Sequence, residues 1–583
     1  MQQSSDRDYL AALVSAVAQS QQLSAPVAID KPSDPSFGDF SSNLAMLTFK
    51  QVVERFQQPR VWAEELSQLI MNADREGEQR LASVSVAGPG FINFTLQQAS
   101  LWANLHPLLS QAPQFTDLGQ GRSAIVEYSS PNIAKPFTIG HLRSTIIGQA
   151  VANLLEASGY RVFRDNHLGD WGTQFGKQIV AIKKWGDETK IEQAAEPVKE
   201  LVELYVKFHQ EAETQPELED EARAWFLKLE QGDQEARRLW QKCIDWSFRE
   251  FAAIYERLEV SFTENEGRGF GESYFEDKMT EVIAELKDSG LAKAGEEGAL
   301  LIFYPADEFS PLMVLKKDSS TLYATRDLAT DKWRRAQQRY QNPDGRPPLV
   351  INEVGGEQAY YFQQLYRAEE LLGWYQPGER VHVKHGLYRF KEGKMSTRKG
   401  NVIWLQEVLD KALEKASIIN ADPKVAATVS MAALKWNDLK RKSELNINFD
   451  WDEMLQLQGN SGPYLLYSYV RTQSVLSKQT ASAAELAASL NPQAPLSAEE
   501  KAVLALLPDF TETVAKAASS YAPNLLCTYL YELAQAFNTF YNKQQILNAD
   551  ADLRPNRLVL TAATGMILRQ GLTLLGIETV ESM

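Results

Sequence analysis

Lys135, Thr138, Gly140, His141 and Arg143 crowd one turn of the 583-residue chain, within AIVEYSSPNIAKPFTIGHLRSTIIG (residues 124–148). An apolar run, AIVEY, stops at Ser129-Ser130-Pro131, and a helix-like run starts near His141. The first turn of a helix carries unpaired N–H groups and partial positive charge, so a strand feeding a helix through such a turn suits phosphate. Gly140 permits close backbone approach, His141 can donate to a phosphate oxygen, and Lys135 adds a full charge. Alone, the pattern also fits an ordinary strand-to-helix loop with incidental polar residues. A second segment, KEGKMSTRKGN (391–401), holds Lys394, Arg398 and Lys399 between Gly393 and Gly400. Cations in a glycine-flanked loop can move onto a polyphosphate and act where charge builds in a transition state. A solvated hairpin would have the same composition, but the two segments together, about 250 residues apart, favour a nucleotide site.

The elements around these residues must bring them together. His141 to Glu156 has helical spacing and ends at Gly159, and YRVFRDNHL (160–168) follows as a strand. That makes a βαβ unit and predicts a parallel sheet. WGTQFGKQIVAIKKWG starts a further helix, and strands return at GALLIFY (298–304) and PPLVINEV (347–354). Between them, residues 187–245 are rich in Glu and carry helical stripes such as Leu201, Leu204, Tyr205 and Phe208. Upstream, Phe40, Leu44, Leu47 and Val52 fall near helical spacing, whereas SVSVAGPGFINFTL alternates like a strand pair around Gly88-Pro89-Gly90. From about residue 425 the patterns are helical almost throughout, and TASAAELAASLNPQAPLS (480–497) is the expected mobile connection.

The length exceeds one hydrophobic core, so several domains are expected. With 44% hydrophobic and 23% charged residues, the composition is that of a globular protein. The most apolar stretch, residues 558–577, is interrupted by Arg569 and Gln570 and reads as a buried helix rather than a membrane span. MQQSSDRDYL lacks the basic and apolar regions of a secretion signal. Cys243 and Cys527 are far apart and have no metal-ligand spacing, which suits a reducing compartment. A cytoplasmic location is the expectation. The formal net charge of −16 counts against a general nucleic-acid coat. It leaves open a protein that holds RNA along one basic path, because net charge does not set the potential inside a cleft.

TIGH (138–141) and KMSTR (394–398) resemble the two signature motifs of class I aminoacyl-tRNA synthetases, in order and at suitable separation. The surrounding words SSPNIAKPFTIGHLRSTIIG, LGDWGTQFG, LYATRDLA, GNSGPYLLYSYVR and GLTLLGIETVESM resemble the arginyl branch of that family. FGDFSSNLA and GPGFINF resemble its extra N-terminal domain, so the resemblance runs over nearly the whole chain. It implies a multidomain α/β protein with three parts: an α+β N-terminal domain contacting tRNA (1–118), a Rossmann-like parallel-sheet catalytic domain (119–425) with a mostly helical insertion at about 187–295, and an all-helical anticodon-binding domain (426–583). The reaction it implies joins L-arginine to its tRNA using ATP, through an arginyl-adenylate, with release of AMP and pyrophosphate. The family usually binds tRNA before it activates arginine, and a monomer is its default. Mg²⁺ would arrive with ATP, and no metal held tightly by the protein is expected.

A guanidinium is planar, permanently charged and rich in donors, so its pocket needs fixed carboxylates and acceptors. Glu127 is the odd acid in an apolar strand, at the end facing a ligand crevice. Tyr323 and Asp327 share one face if LYATRDLA is helical. By itself Asp327 reads equally as an exposed acid paired with Arg326 or Lys332. The resemblance assigns Glu127, Tyr323 and Asp327 to the guanidinium and Ser130, Asn132 and Gln358 to the other end of arginine, with Pro131 and His141 beside them. It assigns Lys135, Gly140, His141, Met395 and Ser396 to ATP, and Lys135, Thr138, Gly140, His141, Lys394 and Arg398 to catalysis. The substrate carboxylate itself attacks the α-phosphate, so positioning and charge stabilisation suffice. Such a pocket would leave its acceptors unpaired with lysine, so no editing domain is expected. His167 is read either as lining the ATP side or as a satisfied core residue. His106, His209, His382 and His385 receive no role.

Three positions depart from the family pattern. Thr138 stands where the first signature usually begins with His, and a hydroxyl cannot carry charge. Thr397 replaces the second Lys of the second signature, as in many arginyl enzymes, where a lysine in the position of Lys135 is thought to supply the charge. Tyr361 stands where His is frequent. Thr138 is also the support for a rival reading, a synthetase-derived RNA-binding protein with damaged catalysis. In the C-terminal region, Tyr464, Tyr467, Tyr469, Tyr529, Tyr531 and Tyr541 alternate with Arg471 and Lys543. Most are expected in the core, with some facing an anticodon loop. Lys435, Lys440, Arg441 and Lys442 form a basic cluster expected to touch the tRNA stem.

Overall fold

The computed structural model describes residues 5–103, 105, 114–295, 298–318, 320–389 and 403–583. At the N-terminus, helices Asp6–Ser20, Leu44–Val52 and Pro59–Glu76 pack on an antiparallel sheet of order β1 (Phe40–Ser42), β3 (Phe91–Leu96), β2 (Leu81–Ala87). The run from Phe40 to Val52, spaced like one helix, is therefore split. Phe40 pairs with Phe94 in the sheet, and the helix starts only at Leu44. Asp39 enforces the split: its N–H donates to the Phe94 carbonyl and its carboxylate accepts from Leu96 N–H, each at 2.8 Å. Leu47 is left exposed.

The apolar run after residue 122 forms β4 (Ser123–Glu127), buried along its whole length as expected for a central parallel strand. Helix α1 (Ile139–Ala157) carries the chain to β5 (Arg161–Asp165), which pairs with β4 in parallel. Helices Glu188–Gln193, Pro197–Ala212, Glu217–Glu230 and Gln234–Arg257 follow, and then a small antiparallel sheet of β6 (Ala292–Ala294), β7 (Leu300–Ile302) and β8 (Leu312–Leu315). Helix α2 (Tyr323–Ala336) leads to β9 (Leu349–Gly355), and α3 (Ala359–Leu371) leads to β10 (Arg380–His385). The main sheet has the order β10-β9-β4-β5 and is parallel throughout. Strand order reverses between β4 and β9, where open sheets of this kind leave a crevice beyond the carboxyl ends of the strands.

The short strand β11 (Tyr388–Arg389) pairs in parallel with β12 (Ile447–Asn448), a strand in a region that reads as helical from sequence. The remainder is helical, including α4 (Pro423–Leu439), α5 (Gly462–Leu476), α6 (Pro523–Lys543) and α7 (Arg554–Leu574). Residue 425, next to the domain edge read from sequence, lies inside α4. The apolar stretch at 558–577 becomes α7, packed through Val559, Ala563, Ile567 and Leu572, with Arg569 exposed. Residues 480–497 contain a helix, Ala483–Ala488, rather than an unstructured connection. Ser482 and Glu485 close a reciprocal cap at its start, and Ser497 and Glu500 do so at the next helix. Among the described residues no helix is long and apolar enough to cross a membrane.

Two contacts set the position of α1. Arg143, which the sequence places among the phosphate-binding candidates, instead points inward and is fully buried. It bonds to Asp438 on α4 (3.2 Å) and to the carbonyls of Ser443 and Leu445 (2.9 and 2.8 Å). Gly148 lets the helix lie directly on the chain after β4: a Cβ there would fall 2.2 Å from Tyr128 Cβ. Gly148→Ala is therefore expected to destabilise the protein by about 1–3 kcal/mol, overpacking outweighing the roughly 1 kcal/mol gain in helix propensity. Urea denaturation followed by circular dichroism checks this; an unchanged or raised midpoint would contradict the seam.

Candidate active site

Polar residues gather at one rim of the sheet: Glu127 ends β4, Asp165 ends β5, Asn352 and Glu353 lie near the end of β9, and His385 ends β10. A cavity of about 440 Å³ opens above this rim. The turn from β4 to α1 forms one wall. Ser129, Ser130 and Ala134 have φ of 71°, 44° and 56°, left-handed positions without glycine that cost on the order of 1–3 kcal/mol per residue. Surrounding bonds hold it. Ser129 N–H donates to Ser144 Oγ (2.9 Å), Thr145 Oγ1 donates to Ser129 Oγ (2.8 Å), and Ala134 N–H donates to Ser247 Oγ (3.0 Å). The result places Ser130 and Asn132 in the cavity wall, with the Ser130 hydroxyl buried and without a hydrogen-bond partner among the described residues.

Thr138 caps α1. Its N–H donates to His141 Nδ1 at 2.9 Å, which leaves the ring proton on Nε2. Burial drives the His141 pKa down to about 4, so at neutral pH the ring is an uncharged donor. Thr138, Gly140 and His141 all line the cavity.

Helix α2 forms the opposite, acidic wall. Tyr323 and Asp327 both face the cavity, as their spacing predicts. Asp327 pairs with neither cation that the sequence offers it: Arg326 forms an ion pair with Glu272 (3.4 Å), and Lys332 with Glu281 and Glu285. Instead the Tyr361 hydroxyl donates to Asp327 Oδ2, and the Tyr361 ring meets Tyr323 edge-on at 4.8 Å. His167 stands on this side of the cavity, beside Asp327. Its Nδ1 lies 2.9 Å from the Phe270 carbonyl, and Nε2, buried and without a hydrogen bond among the described residues, lies 4.0 Å from Asp327 Oδ1. Burial pushes the Asp327 carboxyl up to about 6, against the opposing pull of His167 and Tyr361. Burial also disfavours charge on His167, but Glu127 and Asp327 overcome it and raise the ring above its ordinary value.

Glu127 lines the cavity, yet both of its oxygens are already engaged. Oε2 lies 2.5 Å from Arg334 and Oε1 accepts from Asn352 at 2.9 Å. Arg334 is itself buried and also pairs with Asp165 (2.7 Å) and Asp331 (3.4 Å). Burial works against ionisation of Glu127, but Arg334 and His167 together outweigh it and hold the carboxyl below its usual range. The expected free ligand is thus the partner of an internal arginine. Gln358 lines the cavity; Pro131 and Lys135 do not. Burial pulls the Lys135 pKa down while Glu272 opposes it. Lys394, Met395, Ser396 and Arg398 lie outside the described residues.

Sequence reading passed over Asn352, Glu353, Arg334 and His385, which all line the cavity. Asn352 and Glu353 carry the signal that singled out Glu127, polar residues at the end of an apolar strand. Arg334 lies seven residues after Asp327, on the same face of α2. His382 accounts for itself locally, with Nε2 3.1 Å from the Val354 carbonyl.

In the helical region Tyr469 and Tyr529 are buried, Tyr464 and Tyr531 are half-buried, and Tyr467 and Tyr541 are exposed. Arg471 lies over the rings of both exposed tyrosines, 4.5 and 5.0 Å from their centroids. The basic cluster is mostly internal. Lys435 is buried, 3.1 Å from Glu259 and bonded to the Gly576 carbonyl; Lys440 and Arg441 share Glu453; Lys442 is exposed. Lys435 is therefore a structural tie and not a free phosphate ligand.

Comparisons with known proteins agree with this architecture. Three family models match: the class I (R) tRNA synthetase catalytic domain over residues 104–451, the arginyl tRNA synthetase N-terminal domain over 7–96, and the DALR anticodon binding domain over 465–583. The sheet, its switch-point cavity and these matches define a class I aminoacyl-tRNA synthetase. Arginine–tRNA ligase of Fusobacterium nucleatum is 38% identical over 96% of this chain and 95% of its own length, and that of Lactococcus lactis is 37% identical over 98% of each. Arginyl-tRNA synthetase structures from Plasmodium falciparum (TM-score 0.79, 22% identity, 99% of each chain) and Thermus thermophilus (TM-score 0.77, 23% identity, 99% of this chain and 100% of that one) share the fold. The chain belongs to the arginyl-tRNA synthetase family.

Removing Arg334 would leave Glu127 and Asp165 buried without their cation, while Asp331 keeps Arg380 at 2.6 Å. Arg334→Met is expected to cost about 3–5 kcal/mol of stability. A urea midpoint within error of wild type would show that these acids do not need the guanidinium.

Proposed function

We propose that the cavity is where arginine and ATP meet, arginine against α2 and ATP along the start of α1. The protein ligates L-arginine to tRNA using ATP, through an arginyl-adenylate, with release of AMP and pyrophosphate. The observation that carries the site assignment is the convergence, in one cavity, of a helix N-terminus bearing Gly140 and His141 with an acidic wall bearing Asp327. In this reading Tyr323 and Asp327 take the guanidinium, and Glu127, already paired, adds negative potential behind them. Ser130, Asn132 and Gln358 orient the α-amino and carboxylate end. A carboxylate oxygen then attacks the α-phosphorus, the bond to the bridging oxygen breaks, and pyrophosphate leaves with the electron pair. His141 donates from Nε2 to the phosphate, Lys135 contributes charge from behind the turn, and Lys394 and Arg398 contribute it from the second signature, with Met395 and Ser396 against the nucleotide. Mg²⁺ travels with ATP. The helical domain takes the tRNA, with Tyr467, Arg471 and Tyr541 offering stacking faces and a cation to unpaired bases. The protein acts as a cytoplasmic monomer.

Arginine-dependent ATP–pyrophosphate exchange with tRNA present tests the reading, and absence of exchange with intact tRNA binding would sink it. Asp327 sharpens the test. Binding a guanidinium requires the ionised carboxyl, whose pKa in the empty site is about 6. The KM for arginine is therefore expected to rise as pH falls through about 6, and Asp327→Asn to lose about hundredfold or more in kcat/KM with that pH dependence removed. A flat KM across this range in the wild type would exclude Asp327 as the ligand.

Thr138 lines the cavity but carries no charge. Thr138→His is expected to raise kcat about tenfold and to leave the KM for arginine nearly unchanged. A large rise in that KM would place residue 138 against arginine instead of the nucleotide.

A further inference from the structure

Charge is scarce where a polyanion would have to lie. Among the described residues lining the cavity, the basic side chains are His141, His167, Arg334 and His385. Arg334 is held by three carboxylates, His167 stands against Asp327, and His141 is neutral. His385 remains. It ends β10, and its Nδ1 lies 2.9 Å from Glu353 Oε1. The Glu353 side chain is wholly buried, and its other oxygen has no hydrogen-bond partner among the described residues.

The pair faces the side of the sheet on which α1 lies. Asn352 turns toward α3 and β4, where it bonds Tyr366 and Glu127. Strand alternation therefore sends Glu353 to the opposite face. Its carbonyl accepts from Ser144 Oγ at 3.0 Å, the same hydroxyl that receives Ser129 N–H from the strained turn. Two hydrogen bonds thus link the backbone beneath the pair to the turn that shapes the phosphate wall. With Nδ1 donating to Glu353, the outer nitrogen Nε2 is left without a protein hydrogen bond among the described residues.

We propose that His385 is a further catalytic residue of this site, positioned by Glu353 and donating through Nε2 to the polyphosphate of ATP. This rests on the reading that ATP lies along Gly140–His141. The ring moves no proton: it stays protonated while negative charge accumulates on the departing pyrophosphate. The surroundings keep it in that form. Burial opposes charge on His385, but the Glu353 carboxylate outweighs burial, Asp438 on α4 adds to it and Arg143 on α1 subtracts, leaving the ring above its ordinary value. His141 on α1 and His382 and Lys384 on β10 are the other titratable groups around it.

The test is arginine-dependent pyrophosphate exchange by the full-length protein with tRNA, measured against pH for the wild type, Glu353→Gln, His385→Asn and His385→Phe. In the wild type, kcat/KM for ATP should fall on the alkaline side as the ring deprotonates. Glu353→Gln should move that limb by about one pH unit toward acid. Both His385 variants should lose about tenfold or more in kcat/KM for ATP and the limb itself, with the KM for arginine within about twofold of wild type. The proposal is overturned if His385→Asn retains wild-type kcat/KM for ATP, or if the limb stays in place in Glu353→Gln. It is likewise overturned if the His385 variants weaken arginine as much as ATP, which marks a purely structural pair. No exchange by the wild type would instead overturn the assignment of the cavity as a whole.

Discussion

A buried guanidinium, that of Arg334, ties together the acids behind the cavity, with Arg380 sharing Asp331. Glu127, Asp165 and Asp331 come from two strands and a helix that are distant in sequence, and all three converge on Arg334. Carboxylates at this separation in a dry site would repel one another or take up protons. Arg334 and His167 keep Glu127 ionised, and Asn352 closes its second oxygen. Asp327 stands one step outside that network, bonded to a tyrosine and near a histidine, and burial lifts its pKa to about 6. The contrast separates the acids: Glu127, Asp165 and Asp331 are matched with buried guanidinium groups, whereas Asp327 faces a tyrosine hydroxyl and, at 4.0 Å, His167.

The opposite wall depends on strain rather than charge. Three left-handed residues without glycine within the six of this turn, Ser129, Ser130 and Ala134, would not persist in an isolated peptide. They persist because hydroxyls of Ser144, Thr145 and Ser247 replace the hydrogen bonds that regular structure would have provided. Ser144 and Thr145 belong to the first turns of α1 itself, so the helix that offers its N-terminus to a ligand also braces the loop leading into it.

Much of this was legible in the chain. The βαβ unit, the start of α1 and the shared face of Tyr323 and Asp327 follow from periodicity and spacing, which act locally. What escaped was decided by partners far along the chain. Glu127 looked like a free ligand because nothing local reveals that Arg334, 207 residues away, occupies it. Arg143 and Lys435 looked like phosphate contacts because exposure of a cation cannot be read from its neighbours in sequence; both are buried ties. Phe40 was drawn into a helix by its spacing, whereas Asp39 fixes that segment to a strand through bonds to Phe94 and Leu96. The Glu353–His385 pair needed the register of β9 and β10 before it could be seen.

The knot at Lys435 has a mechanical consequence. Its ammonium joins Glu259, just past the insertion's last long helix, to the Gly576 carbonyl beyond α7. Two residues on the outer side of α1 make the same connection: Gln149 donates to the Glu259 carbonyl at 2.8 Å, and Asn153 to the Leu574 carbonyl at 3.2 Å. The tail of the molecule is therefore moored to the helix whose other end faces the cavity. A swing of the helical region as a rigid lever would have to drag that helix along or break all of these bonds together.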